Sequence, residues 1–145
     1  MYLKQKGFTL VELLVVIAII GILAQVVLSS VNIARGKGID TTVKASFNGI
    51  RSEAEIVYDN NSQDYTNVCI DPNIVLAISN SATKESFVWA STADNNVNVN
   101  CYSSSTQWMV YIDLAKVAGT WWCLDNTGQA KAELSSPTTA ATSCP

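Results

Sequence analysis

The sequence predicts an α+β fold: a long N-terminal α-helix, half suited to a membrane and half packed on a small antiparallel β-sheet. Three observations predict it. From Phe8 to Leu28 there are 21 residues, and only Thr9, Glu12 and Gln25 carry polar side chains. Val43, Phe47, Ile50, Ala54 and Val57 then recur at spacings of 4, 3, 4 and 3, a one-sided helical stripe. Beyond about residue 85, short alternating segments are separated by turn residues, as in a meander of short strands.

The first element is a basic leader, residues 1–7, with Lys4 and Lys6 and no acid. The apolar run follows. At helical rise its 21 residues measure about 30 Å, the thickness of a bilayer core. A secretory signal peptide fits poorly, because the run is long, Glu12 interrupts it and no small-x-small cleavage site follows. Basic residues flank both ends: Lys4 and Lys6 on one side, Arg35, Lys37 and Lys44 on the other. Flanking charge therefore does not set the topology. The four cysteines do, since disulfides place the C-terminal part outside the cytosol.

Glu12 is the chemical anomaly. An acid at the centre of a spanning helix costs about 2.5–3.5 kcal/mol, so such groups acquire a partner. A cut between Gly7 and Phe8 would create a charged α-amine at the same helix end. In a membrane of parallel copies, an axial shift would bring that amine against a neighbour's Glu12 carboxylate, each neutralising the other in low dielectric.

The stretch KGFTLVELLVVIAIIGILA, Lys6 to Ala24, resembles the class III leader junction of type IV pilins and type II secretion pseudopilins. It has basic residues before a glycine, Phe8 after it and Glu12 at the family's offset. The resemblance implies that a prepilin peptidase and methyltransferase cuts Gly7–Phe8 and N-methylates Phe8, and that Glu12 aligns the subunit in the growing filament. It implies no cofactor. Many major pilins carry a proline at the position matching Ser29, so the kink it would impose is not expected here.

The second half of the helix, residues 36–60, carries the stripe. Read as one element, Phe8 to about Asp59 would run roughly 75–80 Å, too long to be buried in a small head. Gly36 and Gly38 mark a candidate bend. The oxygen-rich DNNSQD, Asp59 to Asp64, lacks the glycine and glutamate of a calcium loop and reads as a helix-terminating loop. Asn60-Asn61-Ser62 is also a glycosylation sequon.

The head, residues 61–145, opens with Asp71-Pro72, which suits a capped helix ending near Asn80. Strands are expected at SFVWAS (86–91), NVNVNC (96–101), QWMVYIDL (107–114), TWWCLD (120–125) and QAKAEL (129–134). In the third of these Trp108, Val110, Ile112 and Leu114 share one face. Asn126-Thr127-Gly128 suits a hairpin turn with Gly128 left-handed. The four tryptophans are read as sheet packing in preference to a sugar platform. Cys69, Cys101, Cys123 and Cys144 allow three pairings; Cys69–Cys101 with Cys123–Cys144 is favoured, because sequential pairing closes short loops.

The chain has no histidine and no paired cysteine motif, which argues against a metal site. It has no nucleophile motif or phosphate loop, so no enzyme is expected. Residues 61–145 hold seven acids and three bases, so nucleic acid is not the expected partner of the head. The expectation is a structural subunit held in the inner membrane with its head outside the cytoplasm. After leader cleavage it would polymerise through its N-terminal helix, on a pilus assembly platform, into a surface filament. The alternatives are a pseudopilin of a secretion or DNA-uptake machine and a monomeric membrane-anchored adhesin.

Overall fold

A computed structural model describes residues 7–89, 98–114, 119–134 and 143–144. The elements in chain order are α1 (Leu10–Asn60), a 3-10 turn (Val68–Ile70), α2 (Pro72–Lys84), β1 (Val99–Ser103), β2 (Trp108–Asp113), β3 (Trp121–Asp125) and β4 (Ala130–Glu133). The chain divides into two compact units, residues 1–35 and 36–145.

In the first unit the described part of α1 buries nothing. Its leucines, isoleucines and valines stand in the open, Ile17 at 59% and Leu28 at 63% exposure. α1 is long and apolar enough to cross a membrane. Helix hydrogen bonding continues through Gly36 and Gly38, so the candidate bend there does not interrupt it.

The second unit has its own core. α1 buries Val43, Phe47, Ile50, Ala54 and Val57, the stripe read from the spacing. These side chains pack with Ile74 and Ile78 of α2 and with Val99, Trp108, Val110, Ile112 and Leu124 of the sheet. α2 starts where the sequence places it: Asp71 accepts hydrogen bonds from the backbone N–H groups of Asn73 and Ile74, and Pro72 occupies the first turn. It runs to Lys84, four residues beyond the expected end, because Ile78 and Ala82 keep its apolar face in the core for another turn.

The sheet is a four-stranded antiparallel meander in the order β1-β2-β3-β4. β1 is displaced toward the C-terminus from the expected 96–101; residues 96–97 lie outside the described set. No strand forms over Ser86–Trp89; the rest of the expected 86–91 strand lies outside the described residues. There Ser86 is left-handed at φ 71°, and Phe87 donates its N–H back to Ala82 O at 2.8 Å. That pattern closes the end of α2 and turns the chain away from a sheet.

Alternation along β2 predicts one buried face. The strand is buried on both: Met109 and Tyr111 are as enclosed as Trp108, Val110 and Ile112. Met109 and Tyr111 belong to a second, smaller core with Cys123 and Cys144 on the opposite side of the sheet. A residue next to the C-terminus thus covers the face that alternation alone would leave to water.

Candidate functional site

The N-terminal site is built from Gly7, Phe8, Thr9 and Glu12. Gly7 is exposed, and a Cβ built on it meets nothing within 4 Å. Neither packing nor a positive φ requires glycine at that position. Phe8 is 85% exposed. Thr9 caps α1. Its N–H and its hydroxyl both donate to Glu12 Oε2, at 2.8 and 2.7 Å, while the Glu12 N–H donates to Thr9 Oγ1 at 3.3 Å.

This is a reciprocal capping box. Sequence reasoning leaves Glu12 stranded until a second copy arrives. The T-x-x-E spacing, with both residues at the helix start, is the signal that could have found the box. Within one copy Glu12 satisfies a helix-terminal N–H, and its charge lies where the helix dipole favours a carboxylate. Its bonds to Thr9 also hold the carboxylate beside the peptide that follows Phe8.

The head is fastened at two points on opposite faces of the sheet. Cys69 and Cys101 form a disulfide in the larger core, tying the 3-10 turn to β1. Cys123 and Cys144 form a disulfide in the smaller core, tying the C-terminal end to β3. Asp125 completes the second fastening. It is fully buried, and Oδ2 accepts the Cys144 N–H at 2.8 Å. Its Oδ1 accepts the Thr127 N–H, the Thr127 hydroxyl and the Gln129 N–H. One carboxylate thereby holds both the β3–β4 turn, with Gly128 at φ 92°, and the chain end. Nothing in the spacing of the sequence singles out Asp125 for this.

Asp59 to Asp64 forms a turn. Ser62 and Gln63 take φ 58° and 64°, and Asp64 Oδ1 accepts the Thr66 N–H, so the oxygens serve the turn. Among the described residues no group of three or more His, Cys, Asp or Glu side chains could hold a metal ion. Asp40 is buried at 3% exposure, and among the described residues neither carboxylate oxygen finds a hydrogen-bond donor. Trp122 lies partly buried with the Lys44 ammonium 4.9 Å from its ring centroid, and Trp108 is wholly in the core, which is the packing use expected of them.

The fold and this N-terminus together define an α+β protein with a leading helix that is apolar and unburied over its first unit and a small, twice-fastened head. The comparisons narrow that class. The model of the prokaryotic N-terminal methylation motif matches residues 2–24. The chain is 33% identical over 107 residues to the type IV wide pilus major component PilA4 of Thermus thermophilus, covering 72% of this chain and 79% of the relative. No solved structure matches. The chain belongs to the type IV pilin family. Members of that family are structural subunits, not enzymes.

Proposed function

We propose that this chain is a pilin precursor. It is cut between Gly7 and Phe8 by a prepilin peptidase, N-methylated at Phe8, and polymerised through its N-terminal helix into a type IV pilus. The observation that carries the reading is the first unit of α1, which is long enough to span a bilayer and buries none of its described apolar side chains. Such a face is covered by lipid in the precursor and by sister helices in a filament. An acidic, Ser- and Thr-rich head then keeps the outer surface wetted.

Cleavage is supported by a glycine that the fold does not use. Gly7 has open space around it and no special φ, so the small residue serves access by a second protein. Assembly is supported by Glu12. Its Oε2 holds Thr9, and the mature amine would lie on the residue just before Thr9. The carboxylate can then take a neighbour's Phe8 amine without leaving its cap, since a carboxylate accepts several hydrogen bonds.

Glu12→Gln separates capping from charge, because glutamine also closes a capping box. Glu12→Gln and Glu12→Ala should both abolish or misregister fibres, as scored by electron microscopy of sheared cells, while Glu12→Gln should leave processing at Gly7–Phe8 intact. Normal fibres from Glu12→Gln would reject the charge role. N-terminal sequencing of the fibre protein should begin at methyl-Phe8; fibres built of chains that retain residues 1–7 would overturn the reading. Gene deletion separates the pseudopilin alternative, which predicts loss of exported enzymes or DNA uptake with surface fibres unchanged.

A further inference from the structure

A helix that runs back beyond its cap ties up the carbonyls of the residues before it. In the helical hydrogen-bond pattern the Val11 N–H would bond the Gly7 carbonyl, and the Glu12 N–H the Phe8 carbonyl. Among the described residues neither bond is made. α1 begins at Leu10, and Gly7, Phe8 and Thr9 lie outside it. The Leu13 N–H bonds the Thr9 carbonyl at 3.3 Å. One step earlier a side chain interrupts the ladder: the Glu12 N–H donates to Thr9 Oγ1 in place of the Phe8 carbonyl.

Gly7 alone would not stop the helix there. In apolar surroundings no water serves the free N–H groups of a helix start, so winding further back is favoured until each has a carbonyl. A glycine opposes that winding by less than an unsatisfied N–H drives it. The Thr9 box relieves the drive. The Thr9 hydroxyl serves the Glu12 N–H, and Glu12 Oε2 serves the Thr9 N–H at 2.8 Å. Glu12 Oε2 also accepts the Thr9 hydroxyl at 2.7 Å, which leaves a hydroxyl lone pair turned toward the helix.

We propose that Thr9 is a positioning residue for cleavage: by starting α1 at Leu10 it keeps the Gly7–Phe8 peptide out of the helix, with the Gly7 carbonyl free for a peptidase. The inference rests on the processing reading above and adds to it the residue that presents the bond. In the step itself, water adds to the Gly7 carbonyl carbon and the C–N bond to Phe8 breaks. Gly7 leaves as a carboxylic acid, and a proton from the water goes to the departing Phe8 amine. A Gly7 carbonyl held by the Val11 N–H would point along the helix axis into the next turn, closed to that attack. After the cut the same cap leaves the new amine one residue ahead of Thr9, outside the helix and open to methylation.

The test uses the full-length precursor in proteoliposomes with the host's purified prepilin peptidase, and follows loss of residues 1–7 by mass. Thr9→Val keeps the shape of the side chain and removes the hydroxyl. It should be cut about ten-fold more slowly than the parent, the population shift that loss of an N-cap brings, and Thr9→Ser within about two-fold of the parent. The backbone NMR shifts of Gly7 and Phe8 in detergent micelles should move to helical values in Thr9→Val alone. Thr9→Val with Leu10→Pro should recover the parent rate, because proline at the first helical position blocks the ladder and holds residue 9 extended without a hydroxyl. Thr9→Val cut at the parent rate overturns this inference. So does a proline that fails to restore cleavage, which would show that the peptidase reads the hydroxyl itself. Both results leave the processing reading standing. A parent chain that is not cut at Gly7–Phe8 overturns both.

Discussion

Replacing Asp125 with alanine is the sharpest test of how the head is held together. The carboxylate is fully buried and accepts four hydrogen bonds. The bond from the buried Cys144 N–H has no solvent alternative, so losing it costs about 1.5–3 kcal/mol, as for a bond to a charged group. Thr127 and Gln129 are exposed, and their freed N–H groups turn to water, so those bonds cost only about 0.5 kcal/mol each. The total is roughly 3–4.5 kcal/mol, a large fraction of the 5–15 kcal/mol typical of a domain. Urea unfolding of the oxidised full-length chain in detergent, followed by tryptophan fluorescence, should show the midpoint fall by roughly 1–2 M. Asp125→Asn should recover only the smaller part. Asparagine keeps an oxygen for the turn but sets an amide N–H₂ against the Cys144 N–H. If both variants unfold within about 0.5 kcal/mol of the parent, Asp125 is not the clamp that the geometry describes.

Three further outcomes follow from the same structure. Replacing Cys69 and Cys101 together by serine opens a loop of 32 residues and should cost about 3–4 kcal/mol by loop-closure entropy, read as a lower urea midpoint. Burial, with the hydrogen bond from its hydroxyl to Glu55, pushes the Tyr65 phenol up to about 12. Because the folded value lies above the unfolded one, this stability is complete below pH 10 and is lost as the pH rises from about 10 toward about 12. Tyr65→Phe should therefore flatten the alkaline limb of a stability–pH curve, and an unchanged limb would remove Tyr65 as its source. Asp40→Asn should leave the head as stable as the parent or more so, since it replaces a buried carboxylate that has no hydrogen-bond partner among the described residues by a neutral group of the same shape; a clear drop in midpoint would show that the charge is used.

How much was legible in the sequence varies by element. The stripe from Val43 to Val57 was readable because helical packing imposes a local period that survives into the folded state. The cap at Asp71-Pro72, the turn at Gly128 and the inward set Trp108, Val110, Ile112 and Leu114 were readable for the same reason: each depends on neighbours a few residues away. The strand expected at 86–91 failed over its described part because SFVW has strand-like composition, but a left-handed Ser86 closes α2 there. Composition does not register that. The capping box at Thr9 and Glu12 was legible in principle. An intramembrane acid invites an explanation from outside the chain, and that hides the partner three residues away.

The sequence by itself determined a helix half apolar and half striped, an apolar N-terminal run with an acid at residue 12, and a disulfide-bearing head of short strands. All of these rest on residues close together along the chain, where spacing and chemistry are enough. Tertiary structure alone decided that β2 is covered on both faces, that the two disulfides lie on opposite sides of one sheet, and that Asp125 holds the chain end. Those facts depend on which distant segments share a face. That is settled by the competition of whole faces for burial, which no local window of sequence contains.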